Sequence, residues 1–141
     1  MERVSECRGF VYVASVVLMV LGSTEVILGT TGILSGLIKL TTELTSSPIS
    51  LIIEVFLVPV TIAVIGIITI SSSLLLREGS VNGAFLASII LALKPILVLL
   101  LPRTKFSYVV DDNEFMAVLA VVLAFAILLL TFIALDWRCL K

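Results

Sequence analysis

The sequence predicts an all-α fold, an integral membrane bundle of four transmembrane helices, and three observations carry that expectation. Residues are 60% hydrophobic and only 13% charged, against roughly 45–50% and about 25% in soluble domains. The mean hydropathy is +1.31. The charges also fall between four apolar runs, each near or above the ~20 residues a helix needs to cross a ~30 Å hydrocarbon core. Backbone groups in lipid must bond internally, and runs of this length without strict alternation do so as helices, not as barrel strands. The same composition excludes a disordered chain. A net charge of −1 offers no basic field to nucleic acid, so no nucleic-acid partner is expected.

The first run extends from Gly9 to Ile38 and is interrupted only by Glu25. Wholly helical it would be about 45 Å long at 1.5 Å per residue, more than a bilayer requires. Gly29-Thr30-Thr31-Gly32 is therefore the expected break, since each glycine weakens a helix by about 1 kcal/mol. The spanning part is placed at about 9–36, and a break would leave Ile33 to Thr42 as an interfacial piece. Gly22-Ser23 has the small residues of a signal-peptide cleavage site, but Glu2 and Glu6 dilute the positive charge before it, so four spans are kept.

The second run, 49–76, contains Glu54 and Pro59, and Ser71-Ser72-Ser73 is expected to mark its approach to the surface. The third, 81–102, contains Lys94 and Pro95; the fourth, 115–135, has no charge. Pro59 and Pro95 are expected to release carbonyls from helical bonding, which line a site or mark only kinks. All four runs form one domain, 1–141.

An even number of spans puts both termini on one side. That side carries Arg3, Arg8, Arg77, Arg138 and Lys141, the other Lys39, Arg103 and Lys105. The positive-inside rule then points to cytoplasmic termini in a multi-pass cell-membrane protein. Asp111, Asp112 and Glu114, in the loop opposite the termini, read either as a cation site or as a solvated loop suited to the N-terminal end of the last helix. Tyr12 and Trp137 suit interfacial anchoring.

Of the 10 acidic and 9 basic residues, three lie inside apolar runs: Glu25, Glu54 and Lys94. A group of this kind costs at least ~2.5–3.5 kcal/mol at mid-bilayer, so each marks a candidate site. Following each helix from its starting side puts all three roughly 5 to 15 Å below the surface opposite the termini. Their faces agree with that depth. Gly22, Glu25, Gly29, Gly32 and Gly36 share one stripe of the first helix, and such glycines allow close helix approach. Glu54, Thr61 and Ser72 share a face of the second helix, with Thr69 at its edge; Gly83, Ala87 and Lys94 share one of the third. Ala117, Ala120, Ala124 and Thr131 form a small-residue stripe, the expected packing face of the fourth.

Glu25, Glu54 and Lys94 together admit two readings: a structural ion pair that fixes helix register, or a proton- or ion-linked site in a small transporter or channel. No enzyme is expected. Histidine is absent, and neither a phosphate loop nor a nucleophile elbow occurs. Without histidine and without CxxC spacing, no metal and no cofactor are expected, and Cys7 and Cys139 read as free thiols, as acylation sites near one membrane surface, or as a disulfide joining the termini. Beyond the lipid bilayer, the expected partners are further copies or other membrane subunits, because four helices enclose little space while the glycine and alanine stripes offer packing faces.

Two family resemblances bear on these residues. Thr24-Glu25-Val26-Ile27 followed by Gly29-Thr30-Thr31 resembles the membrane-embedded glutamate motif of small multidrug resistance transporters, four-helix proteins near this size. It covers about eight residues, with one extra residue between glutamate and glycine, and implies Glu25 as a shared proton and drug site in an antiparallel dimer. From Ile49 to Leu135 the layout is similar to the PsiE-type family of phosphate-starvation-inducible membrane proteins. An acidic residue in the second helix, a basic one in the third, a polar loop and an Ala/Leu-rich last helix correspond to Glu54, Lys94, Arg103–Glu114 and Ala117–Leu135. That family usually shows arginine where this chain has Lys94-Pro95, and the resemblance implies no defined molecular activity.

Overall fold

The computed structural model describes residues 9–42, 56–100 and 112–140. They form four helices, α1 (Gly9–Thr42), α2 (Val58–Arg77), α3 (Val81–Leu100) and α4 (Asp112–Leu135), followed by a 3₁₀ turn at Trp137–Cys139. Each helix contains a stretch long and apolar enough to cross a membrane. Consecutive helices pack side by side and α4 closes back on α1, which makes an up-down-up-down bundle of a multi-pass membrane protein. Large apolar side chains such as Leu28, Ile67, Phe85 and Ile127 are exposed on the outer faces, as a lipid solvent allows.

The α1 helix does not break at Gly29-Thr30-Thr31-Gly32; it is continuous over 34 residues. Packing outweighs propensity here. The backbone of α2 lies so close that a Cβ on Gly29 would sit 2.6 Å from Ala63 N and 2.7 Å from Pro59 O. Thr30 and Thr31 donate to carbonyls of the preceding turn, so their hydroxyls face outward without loss. Pro59 stands in the first turn of α2, directly after a π-helical turn at 56–57. Pro59 closes on Gly32, its Cβ 2.9 Å from where a Cβ on the glycine would stand.

The α2–α3 turn is tight because Gly79 adopts a left-handed φ of 79°. Ser80 N donates to Leu75 O and Gly79 N to Leu76 O, the paired bonds of a Schellman ending. Gly83 then packs so close to α2 that a Cβ would meet Leu76 N at 2.5 Å. The core is densest toward this end, around Leu18, Leu76, Ala84, Ala87, Leu129 and Ile133.

Ser72 and Ser73 are buried near the Arg77 end of α2, and Ser73 Oγ donates to Ser15 O at 2.7 Å across the α1–α2 seam. Two expected faces need correction. Thr61 is exposed and bonds Leu57 O of its own helix, while Thr69 is fully buried. On α4 the stripe of Ala117, Ala120, Ala124 and Thr131 points outward, and Leu119, Ala126, Leu129 and Ile133 face the core. A helix apolar all round carries no periodic signal, and its larger side chains fill the interior. The start of the second span at 49, the end of the third at 102, Glu54, Cys7 and the side chain of Cys139 lie outside the description.

Candidate functional site

Glu25 and Lys94 meet inside the bundle. Glu25 stands on the glycine stripe that presses α1 against α2, where Gly22 opposes Gly66 so closely that a Cβ on either would lie 2.8 Å from the other's carbonyl oxygen. The stripe is buried along its length at Gly22, Gly29 and Gly36, with Gly32 half-buried. Backbone proximity turns the Glu25 side chain inward. Lys94 comes from α3, one residue before the buried Pro95 and on the same face as buried Gly83 and Ala87. Its Nζ lies 2.7 Å from Glu25 Oε1, and the two side chains are 14% and 22% exposed. The pair spans the diagonal of the bundle, linking helices that are not neighbours in the α1–α2–α3–α4 ring.

Both charges reach one level, as the sequence predicts. Arg77 lies 5.6 Å above the Tyr12 ring and marks the end of the bundle nearest the termini. From there Glu25 is about 20 Å along α1 and Lys94, counted from Val81, about 20 Å along α3 at 1.5 Å per residue. Glu54 is not among the described residues, and the third polar partner in view is Thr69, whose Oγ1 lies 3.3 Å from Glu25 Oε2 and 2.8 Å from Ile65 O. Its hydroxyl proton is thus shared between a carboxylate and a helix carbonyl. Among the described residues, Lys94 Nζ has Glu25 as its ionic contact but no hydrogen bond of regular angle.

The pair separates two clefts. One, of about 280 Å³, is lined by Leu21, Leu91, Val121, Phe125 and Leu129 with Glu25 and Lys94 in its wall. The other, of about 240 Å³, has the same two charges in its wall with Ile62, Ile65, Leu97 and Val98. Leu91 and Leu129 lie toward the termini from the pair; Leu97, Val98 and Ile62 lie away from them. The clefts are therefore stacked along the bundle, with Val122 common to both. No group of three or more His, Cys, Asp or Glu side chains able to hold a metal occurs among the described residues.

A second polar contact, absent from the sequence expectations, lies at the termini. Asp136 is 7% exposed. Its Oδ2 accepts from Phe10 N and Val11 N, both at 3.0 Å. At the end of its own helix a carboxylate is poorly placed against the helix dipole. It instead caps α1, whose unpaired N–H groups and positive end lie beside it. The Phe10 and Phe132 rings, 5.4 Å apart, pack next to this contact. Such a link between residues more than a hundred positions apart leaves no local signature.

Comparison of the chain with family models, with curated proteins and with solved structures gives no match.

Proposed function

We propose that this chain is a small non-enzymatic membrane protein of structural or accessory type, in which the Glu25–Lys94 pair latches the bundle across its diagonal. The observation that supports this reading is the 2.7 Å contact itself: an ammonium sealed from solvent meets a half-buried carboxylate, and the described site is neutral. A neutral pair fixes which helix faces meet, while a carboxylate without a cation would be the better proton carrier. We assign both termini to the cytoplasmic side on the basic-residue bias, and expect the protein to work as an oligomer or as a subunit of a larger membrane complex.

A double-mutant cycle tests the latch. Breaking a buried pair from one side strands the other charge, at about 3–5 kcal/mol. Lys94→Met and Glu25→Met should each lower the SDS unfolding midpoint strongly, whereas Glu25→Met/Lys94→Met should recover most of the loss. Additive effects of the two changes would refute the latch.

The stacked clefts favour a second reading, a small proton- or ion-coupled transporter whose charged partition is Glu25 and Lys94. Proteoliposomes with a trapped pH indicator separate the two. Transport requires proton-linked flux that Glu25→Gln abolishes in folded protein; no flux across a panel of ions and amphiphilic cations removes this reading.

A further inference from the structure

The hydrogen-bond inventory of the buried pair is lopsided. An ammonium carries three donors, and only one direction around Lys94 Nζ is taken, by Glu25 Oε1. Among the described residues it makes no regular hydrogen bond, although the atom is sealed from solvent. The carboxylate is better served, with Lys94 at one oxygen and Thr69 at the other. The unmet capacity is therefore donor capacity, and buried donors are costly to leave unmet.

The surroundings restrict what can meet it. Both clefts are walled by aliphatic and aromatic side chains apart from the pair, which suits an apolar body. Because Glu25 already balances Lys94, an anion or a cation would leave a net charge in a low-dielectric interior, which is disfavoured by several kcal/mol. A neutral acceptor adds no charge. Lys94 lines both clefts, and its flexible four-carbon stem lets the ammonium turn from its sealed position toward either while staying near Glu25.

The geometry points to a binding site for a neutral, membrane-soluble carbonyl compound, with the carbonyl oxygen accepting from Lys94 Nζ and the apolar body filling one of the two clefts. This goes beyond the latch: the same ammonium that holds α3 to α1 also reads the ligand's oxygen.

Benzophenone, itself a neutral apolar ketone and a photo-crosslinker, tests this on the full chain in detergent micelles. Irradiation should place adducts on peptides containing Leu91 to Val98 or Val121 to Leu129. 2-Undecanone should displace them at roughly tenfold lower mole fraction than undecane, the value of about one hydrogen bond to a charged donor. In Glu25→Met/Lys94→Met, which strands no charge, adducts should persist and the ketone preference vanish; in Lys94→Arg, which keeps a donor, the preference should remain. Equal displacement by ketone and alkane in the unmodified protein overturns the proposal. So do adducts spread evenly over outward residues such as Leu28, Ile67 and Phe85, or a preference that survives in the folded double variant. These outcomes are read as ligand competition, so they stand apart from the stability cycle that tests the latch.

Discussion

The two sides of this bundle are packed on opposite principles. Along the α1–α2 seam, glycine meets backbone: Gly22 faces Gly66, Gly29 faces Ala63 and Pro59, and Gly32 faces the Pro59 ring. Away from the termini end, where Gly83 meets Leu76 and the core is dense, leucine, valine and phenylalanine side chains around α3 and α4 meet across wider gaps and leave clefts of about 280 and 240 Å³. Lipid supplies no hydrophobic drive for helices to associate, so close contact must come from shape. The seam achieves that with residues that have almost no side chain. The other side, with larger side chains, remains open, and Glu25 stands on the boundary: its backbone belongs to the seam, its carboxylate to the clefts.

The strongest way to break this contrast is to put a side chain into the seam. Gly29→Val should cost about 3 kcal/mol, the upper end of the overpacking range, because the atoms in its way are Ala63 N and Pro59 O, which move only with the whole helix. Gly29→Ala should cost less but still lower the SDS unfolding midpoint. If Gly29→Val unfolds like the unmodified protein, the seam is not held by close backbone approach.

The seam was legible in the sequence and the open side was not, for a physical reason. Glycines spaced three and four apart, with Glu25 among them, single out one face of α1 whatever packs on it. Lys94 was legible in the same way, since a charge in an apolar run has to turn inward. Hydroxyls and alanines carry no such signal. Thr61 and Thr131 bond carbonyls of their own helices, so they face outward at little cost, and the α4 alanines do likewise because nothing polar constrains that helix. Continuity of α1 through Gly29 to Gly32 escapes the sequence for the converse reason: propensity is a local quantity, while the contact that maintains the helix comes from α2. Asp136 was invisible because its partner, the start of α1, is close only after folding.

That Asp136 contact offers an intermediate test, at the end of the bundle where the two sides join. Removing an N-cap acceptor typically costs 0.5–2 kcal/mol. Asp136→Ala should therefore lower stability by about 1 kcal/mol and speed amide exchange selectively at Phe10 and Val11, whose N–H groups lose their acceptor. Asp136→Asn keeps an acceptor oxygen and should retain most of the protection. Unchanged exchange at both amides in Asp136→Ala would mean that the α1 end is held by the Phe10–Phe132 contact instead.

The smallest expected effect is the most discriminating, because it repeats the seam experiment on the other side. Ala126 is buried on α4 and lines the larger cleft. Ala126→Val adds two methyl groups where the wall borders empty volume rather than backbone. Filling space recovers contacts, while a β-branched residue in a helix costs a few tenths of a kcal/mol, so the net change should lie within about 1 kcal/mol of zero. The same small-to-valine logic applied at Gly29 is expected to cost about 3 kcal/mol. The ratio between the two substitutions, measured in one detergent, therefore reports the difference in packing directly. A large loss at Ala126 would show that the cleft wall is as unyielding as the seam, and the space beside Glu25 and Lys94 could then admit a ligand only by moving α4.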